Sequence, residues 1–569
     1  MVNRGAWIVA IVAALAVLLI NPIAEISWND DWCYGRMAYE FARSGTFVYN
    51  GWAAAMVGPQ VLWGALWIKL FGFSFTVLRL STLPVFIGCG VLLYRLHRRA
   101  GIDDNLSTLG SLATLLSPIV LPLAASFMTD IFGLFLFLLS IVFLQNLQEG
   151  TREKAGLWIA LVVLTGLLAG AIRQLFWLVP LVALGYIAWR RRELRALALG
   201  GAAVALVGTV ALTLWYTKQP YALGESVVPG IKGIVHNPVP SLLTILGLLM
   251  GVTLFLFPVV SAVVLPRLGG GAGKGRLIVG VLALASAGAC FLGKWLFPWS
   301  YNICSEFGVL RPADTALGDP ELVLSTLPRL VLSLVALLSS LCVVEWAIAE
   351  RATLIKTLQR VLAAQTEKTD HGVVILALYS VPYLLVALSR AGIGMSWDRY
   401  LIPVFPLVTI LALRSLAGRA LPKAAWAALA LFGLYSVAVS HDYLAFLRAE
   451  ATAVQALEKR GVPATQIRAN FEFDCWTETE QKGFINDARI HNPVDAYRDL
   501  TDEQMRGVWP TSQKVPWWWR FTPSVEGRYF VVTTPIPGLI DTADTPITYQ
   551  RWLPWTTATI RIQQSPTAN

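Results

Sequence analysis

Charge is scarce in this chain. Asp, Glu, Lys and Arg make up 14% of its 569 residues, whereas 56% are hydrophobic. A soluble protein of this length needs far more polar surface to cover its core. Together with a mean hydropathy of +0.61, the shortage excludes a soluble globule and implies a polytopic membrane protein. Cysteine is scarce as well: the six cysteines form no C-x-x-C pair, so no thiol-based metal or redox motif is present. Cys89, Cys290 and Cys342 lie in apolar spans and read as small core residues. Cys33, Cys304 and Cys475 fall in segments expected outside, where one disulfide is open to them and spacing does not select the pair. No internal repeat is visible. No basic helix or aromatic–basic face is present to follow a phosphate backbone, so the formal charge of +10 does not indicate nucleic acid.

The long apolar runs carry the architecture. A window of about 19 residues yields about thirteen spans, from Ala6–Ile20 to Ala424–Ser440 and including Leu106–Ala124, Leu242–Leu265 and Leu401–Leu413. Ala6–Ile20 has Arg4 ahead of it but no small-x-small cleavage site after it, so it reads as an uncleaved first helix. Basic residues gather in alternate loops: Arg95, Arg98 and Arg99; Arg190, Arg191, Arg192 and Arg195; Arg414, Arg419 and Lys423. Such loops belong on the cytoplasmic side, which predicts an N-in, C-out topology. The expected fold is an all-α polytopic membrane bundle over residues 1–441, with a first external loop at 21–74. A small extracytoplasmic α/β domain follows at 442–569. In that domain Asp442–Arg460 reads as an amphipathic helix ending at Gly461, Gln466–Phe473 and Arg528–Thr534 as strands, and Trp517-Trp518-Trp519 as a loop. Trp28–Arg43 reads as an interfacial helix on the outer surface. The glycine-rich stretch Gly269–Gly275 lacks the Walker spacing and reads as a linker. Glu350–His371 reads as an amphipathic helix on the inner leaflet.

Chemistry concentrates on the outer face. Asp30 and Asp31 follow the first span directly. Helix capping explains one carboxylate, with Ser27 or Asn29 as the cap and a benefit of about 0.3–1 kcal/mol. It does not explain two acids beside lipid, where a desolvated charge is costly. A general base with its neighbour as orienter or metal ligand explains both. Asp130 sits in a tight turn on the same face, either as a helix cap or as a third converging carboxylate. Asp30 and Asp130 are therefore candidate ligands for a divalent cation, Mg2+ or Mn2+. Arg173-Gln174 opens another span at the outer face, where the arginine either snorkels to headgroups or binds a phosphate as a bidentate fork. Arg399-Tyr400 breaks the positive-inside trend, for which an anionic phosphate is a sufficient cause. Lys218, Lys232 and His236 are weaker candidates for that role, and Lys294 reads as a snorkelling residue.

Four motifs carry a resemblance: Asn29-Asp30-Asp31-Trp32, Phe127-Met128-Thr129-Asp130, Ala171-Ile172-Arg173-Gln174 and Asp398-Arg399-Tyr400-Leu401-Ile402-Pro403. In order and common side the chain resembles GT-C integral membrane glycosyltransferases, in particular glycosyltransferase family 39 with the lipid A aminoarabinose transferases and protein O-mannosyltransferases. The resemblance implies transfer of a sugar from a polyprenyl-phosphate-linked donor to an acceptor (glycan, lipid or protein) outside a bacterial inner membrane. It implies Asp30, Asp31 and Asp130 as catalytic residues, and Arg173, Gln174, Arg399 and Tyr400 as substrate-binding residues. One departure stands out: Gly58-Pro59-Gln60-Val61-Leu62 replaces a Pro-Pro-Leu run, with no lysine just ahead, which leaves the acceptor open. The rival expectation is a transporter or flippase, which would place ionisable groups near the bilayer midplane and show inverted repeats.

Overall fold

The computed structural model describes residues 4–224, 228–268, 274–349, 371–416, 418, 421–485, 509–510 and 512–566, with isolated positions at 351, 355 and 359. Among the described residues, eight helices are long and apolar enough to cross a membrane: Phe75–Arg99, Thr129–Glu149, Arg152–Gly170, Arg192–Tyr216, Pro238–Phe255, Thr326–Ile348, Gly372–Ile393 and Lys423–Lys459. Arg4–Ile20, Gln174–Arg190 and Leu277–Leu292 are shorter apolar helices. The Gly269–Gly275 and Glu350–His371 expectations fall largely outside the described residues. The first half runs through α1 (Arg4–Ile20), α2 (Asp31–Ser44), α3 (Gly58–Phe71), α4 (Phe75–Arg99), α5 (Asp104–Leu115), α6 (Leu121–Ala124) and α7 (Thr129–Glu149).

Helix ends follow the local sequence. Ser74 caps α4 by accepting from Val77 N, and Asp103 caps α5 by accepting from Leu106 N. Small residues let helices meet. A Cβ at Gly90 would lie 2.8 Å from Val9 and 2.6 Å from Leu115, so glycine permits α1, α4 and α5 to pack at close range. At the periphery, Arg192–Tyr216 leaves Val204, Val207 and Leu214 exposed, as a lipid-facing helix does.

Three expected spans are broken. Leu106–Ala124 divides into α5 and α6, between which Pro118 ends one helix and Pro122 opens the next. Leu242–Leu265 divides at Leu256 into Pro238–Phe255 and Phe257–Leu268, next to Pro258. Leu401–Leu413 becomes a 3-10 helix, Asp398–Val404, running into Phe405–Arg414, with Pro403 and Pro406 at the join. The expected interfacial helix Trp28–Arg43 is also corrected. It starts at Asp31, ends at Gly45 with φ of 73°, and does not lie open on the surface. Trp28 meets Tyr443 and Trp32 meets Phe471 edge-on, so the C-terminal segment covers that aromatic face.

Beyond residue 441 the helix Lys423–Lys459 runs on without a break, so the amphipathic stretch expected at 442–460 continues the last span rather than forming a separate element. Gly461 ends it as expected, with φ of 83°. The expected strand Gln466–Phe473 is only partly borne out. β3 (Ile467–Arg468) is strand, and Asn470 then caps the helix Phe471–Lys482 by accepting from Phe473 N. Upstream, Cys304–Ser305 and Gly308–Val309 form a small hairpin, β1–β2. The strand expected at 528–534 is β4 (Tyr529–Val532); β5 (Ile540–Asp541), β6 (Ile547–Gln550) and β7 (Thr557–Gln564) were not foreseen. The order is β3-β4-β7-β5 with β6 on β7; β3 and β4 pair parallel, and β7 pairs antiparallel with β4, β5 and β6. The three tryptophans lie in a 3-10 turn, Trp517–Phe521, with Trp518 and Trp519 buried. Cys33, Cys304 and Cys475 are buried and form no disulfide.

Candidate active site

Asp30 stands at the head of α2, after a turn in which Asn29 takes φ of 53°, a conformation asparagine tolerates better than most residues. Its Oδ1 accepts from Trp52 Nε1 at 2.8 Å, and its Oδ2 from Arg399 Nη2 at 3.3 Å. Asp130 is the second residue of α7. The capping position belongs to Met128, whose side chain makes no capping bond, so the Asp130 carboxylate is left for other partners. Its Oδ1 lies 2.8 Å from Arg173 Nη2, and its Oδ2 3.9 Å from Arg399 Nη1. Arg399 thus stands between Asp30 and Asp130, and Arg173 flanks Asp130 on the other side while its Nε donates to Thr129 Oγ1.

Four remote segments supply this alternating row of acids and arginines. The loop before α2 gives Asp30, the start of α7 gives Asp130, an extended residue between two helices gives Arg173, and a 3-10 helix gives Arg399. The Tyr400 ring sits among guanidinium groups: Arg173, Arg390 and Arg399 lie 5.4, 5.8 and 5.9 Å from its centroid. Asp30, Arg173, Arg390, Arg399 and Tyr400 line one cavity of 830 Å³. Leu175, Trp177, Val386 and Ala387 give the same cavity an apolar wall. The Nε and Nη1 of Arg399 are buried and have no hydrogen-bond partner among the described residues. A guanidinium beside a hollow with donors unspent can take an oxyanion.

Asp31 does not join this group. It is 1% exposed, and it accepts from Trp28 N at 2.6 Å and from Phe127 N at 3.3 Å, with Arg79 at 4.0 Å. Burial pushes its carboxyl up to about 6, against the lowering effects of Arg79 and the two backbone amides. The structure thus places Asp31, one of the three expected catalytic acids, outside the cavity lining and on the backbone of the turn before α7. Gln60 donates to Phe127 O at 2.6 Å. Phe127 is thus held from both sides of its backbone, which fixes the turn that delivers Asp130. Gln174 donates to Ala54 O and secures the first external loop against the bundle. Asp398 accepts from Ile303 N, Cys304 N and Arg399 N, tying the 3-10 helix to the β1–β2 hairpin. Glu472, from the C-terminal segment, accepts from Asn29 N at 3.0 Å, one residue before Asp30.

The donor set does not suit a divalent cation. Both Asp30 oxygens accept hydrogen bonds, both Asp130 oxygens face guanidinium groups, and no cluster of three or more His, Cys, Asp or Glu side chains suited to a metal occurs among the described residues. A cation shared by Asp30 and Asp130 would have to displace Arg399.

Lys218, Lys232, His236 and Lys294 do not line the cavity. Sequence reasoning missed Arg390, Trp52 and Arg79. Arg390 was discoverable, because it closes an apolar run on the same expected side as Arg173. Trp52 and Arg79 carried no local signal; their partners are 22 and 48 residues away in sequence.

No protein-family model matches the chain, and no curated protein matches it. Among solved structures the chain is similar to ArnT from Cupriavidus metallidurans bound to undecaprenyl phosphate, with a TM-score of 0.40 and 14% identity over 81% of this chain and 74% of that one. It is also similar to the apo form of that protein, with a TM-score of 0.36 and 14% identity over 98% and 97%. A likeness of this degree assigns neither a family nor a reaction.

Proposed function

We propose that this chain is a GT-C-type membrane glycosyltransferase, which takes a sugar from a polyprenyl-phosphate donor and delivers it to an acceptor on the extracytoplasmic side of a bacterial inner membrane. The observation that carries the reading is the row Asp30–Arg399–Asp130–Arg173 beside a cavity with an apolar wall. An isoprenoid chain fits against Leu175, Trp177, Val386 and Ala387, and its phosphate fits against Arg399 and Arg173. The acceptor hydroxyl oxygen bonds to the anomeric carbon as the bond from that carbon to the phosphate oxygen breaks. Arg399 and Arg173 meet the charge that gathers on the departing phosphate. Asp30 retains acceptor capacity beyond its two existing hydrogen bonds and takes the hydroxyl proton. Asp130 lies between the two arginines and holds both beside the phosphate position. No step requires a metal.

The transporter reading is weaker, because the ionisable row lies at helix ends and loop junctions rather than in mid-helix. In this reading the basic loops face the cytoplasm, and the sheet β3–β7 lies outside. Single cysteines placed in intact cells at Gln550 and at Arg95 should then react and fail to react, respectively, with an impermeant maleimide. The decisive assay uses the full chain in lipid nanodiscs with radiolabelled polyprenyl-phosphate sugars and envelope acceptors. Asp30→Asn should lower turnover by about 10²–10⁴-fold with expression and melting temperature unchanged; wild-type turnover in that variant would sink the mechanism.

A further inference from the structure

The cavity has a second end that the chemistry above does not use. At its mouth the indole of Trp517 is 44% exposed and fixed in orientation, because its Nε1 donates to Asp314 O at 2.8 Å. Phe471 packs behind it at 5.1 Å, and the Trp52 ring lies 6.3 Å away at an interplanar angle of 28°. Trp52 is the residue whose Nε1 donates to Asp30. An aromatic wall therefore runs from the mouth of the cavity to the carboxylate. Beside it stand Arg311, Asp314 and Asn302, all lining the same cavity. Arg311 is braced by Tyr301, whose hydroxyl accepts from it at 2.9 Å, and by Glu306 at 3.5 Å. Asn302 Oδ1 is buried and has no hydrogen-bond partner among the described residues. A buried carbonyl oxygen without a donor is costly unless a ligand supplies one.

A flat, rigid indole next to planar polar side chains matches one ligand chemistry well. A pyranose ring presents a face of C–H bonds to the indole and an edge of hydroxyls to amide, carboxylate and guanidinium groups. A peptide would instead ask for backbone partners, and the β1–β2 hairpin nearby offers no strand edge within the cavity. From this geometry we infer that Trp517, Asn302 and Arg311 form a carbohydrate subsite, and that the acceptor is a glycan whose terminal sugar stacks on Trp517 with a hydroxyl directed along Trp52 toward Asp30. The acceptor role rests on the glycosyltransferase reading; the carbohydrate subsite does not.

The test uses full-length protein in nanodiscs and two separate ligands. Saturation-transfer NMR is recorded with neutral disaccharides of glucose, mannose, galactose and N-acetylglucosamine, and binding of undecaprenyl phosphate is measured independently. At least one disaccharide should receive saturation on its ring C–H protons. Trp517→Ala should cut that signal at least tenfold and Trp517→Phe by no more than about threefold, while both variants keep undecaprenyl phosphate binding and so report an intact fold. Arg399→Ala should do the reverse, keeping the sugar signal and losing the lipid phosphate. The inference is overturned if no disaccharide is saturated, if Trp517→Ala leaves the signal unchanged, or if a Ser/Thr-rich peptide takes the site in place of sugars. Sugar binding that depends on Trp517 without undecaprenyl phosphate binding would uphold the subsite and overturn the glycosyltransferase reading.

Discussion

Arg399 is the residue on which the site turns. Its guanidinium lies 3.3 Å from Asp30 and 3.9 Å from Asp130, so it neutralises both acids, and its Nε and Nη1 have no hydrogen-bond partner among the described residues. Burial alone lowers the affinity of Arg399 for its proton, but Asp130 and then Asp30 more than reverse this and keep it charged. On the proposed reaction, Arg399→Ala should therefore reduce the rate constant for sugar transfer by about 10²–10³-fold, the loss typical of one donor to a developing oxyanion. Arg399→Lys should recover only a small part of it, because an ammonium cannot bridge two carboxylates and a phosphate as a planar fork does. Single-turnover kinetics with a labelled donor measures both. In the local sequence Asp30 and Asp130 stood out as carboxylates beside apolar spans, and Arg173 and Arg399 as guanidinium groups at span ends expected to be poor in basic residues. Asp31 stood beside Asp30 in that reading and lies apart from the row, since adjacent residues at a helix start point in different directions.

At the scale of elements, short connections rather than long helices set the geometry. Asp31 ties the start of α2 to the turn before α7 through Trp28 N and Phe127 N. Removing its carboxylate in Asp31→Ala would strand two buried amides, at about 1–3 kcal/mol each, and leave Arg79 without its anion. The expected outcome is a clear drop in the melting temperature of detergent-solubilised protein, with activity falling as Asp130 loses its fixed position. An Asp31→Ala protein with wild-type melting would mean that these bonds do not hold the turn. The breaks at Pro118, Leu256 and Pro403 teach a related lesson. A hydropathy window sums over about 19 residues and cannot see that a proline inside it divides one span into two elements. The prolines themselves were visible, but which of them end a helix depends on packing: Pro84 and Pro382 sit within continuous helices.

At the scale of the whole molecule, the C-terminal lobe is part of the site and not an appendage. Glu472 reaches the turn before Asp30, Phe471 backs the aromatic wall, and Trp517 stands at the cavity mouth. That lobe has its own pH dependence. Burial pushes the Glu478 carboxyl from 4.5 up to about 7, against the lowering effects of its hydrogen bonds from Ser524 and of Arg468 and Lys482. A raised folded value means that the folded state holds the proton more tightly. This contribution to stability is present below about 4.5 and is lost as pH rises from there through about 7. Glu478→Gln should flatten that slope in thermal melts between those limits; an unchanged slope would assign it to other groups. Composition alone determined that the chain is a multi-pass membrane protein, and charges beside apolar spans marked residues that meet in one row, because both are properties of residues read over short windows. Only the tertiary structure decided that Asp30 accepts from Trp52 and Arg399, that Asp31 serves the backbone, and that Trp517 faces the same hollow as Asp30. Those contacts join residues up to several hundred positions apart, and no periodicity along the chain encodes a distance of that kind.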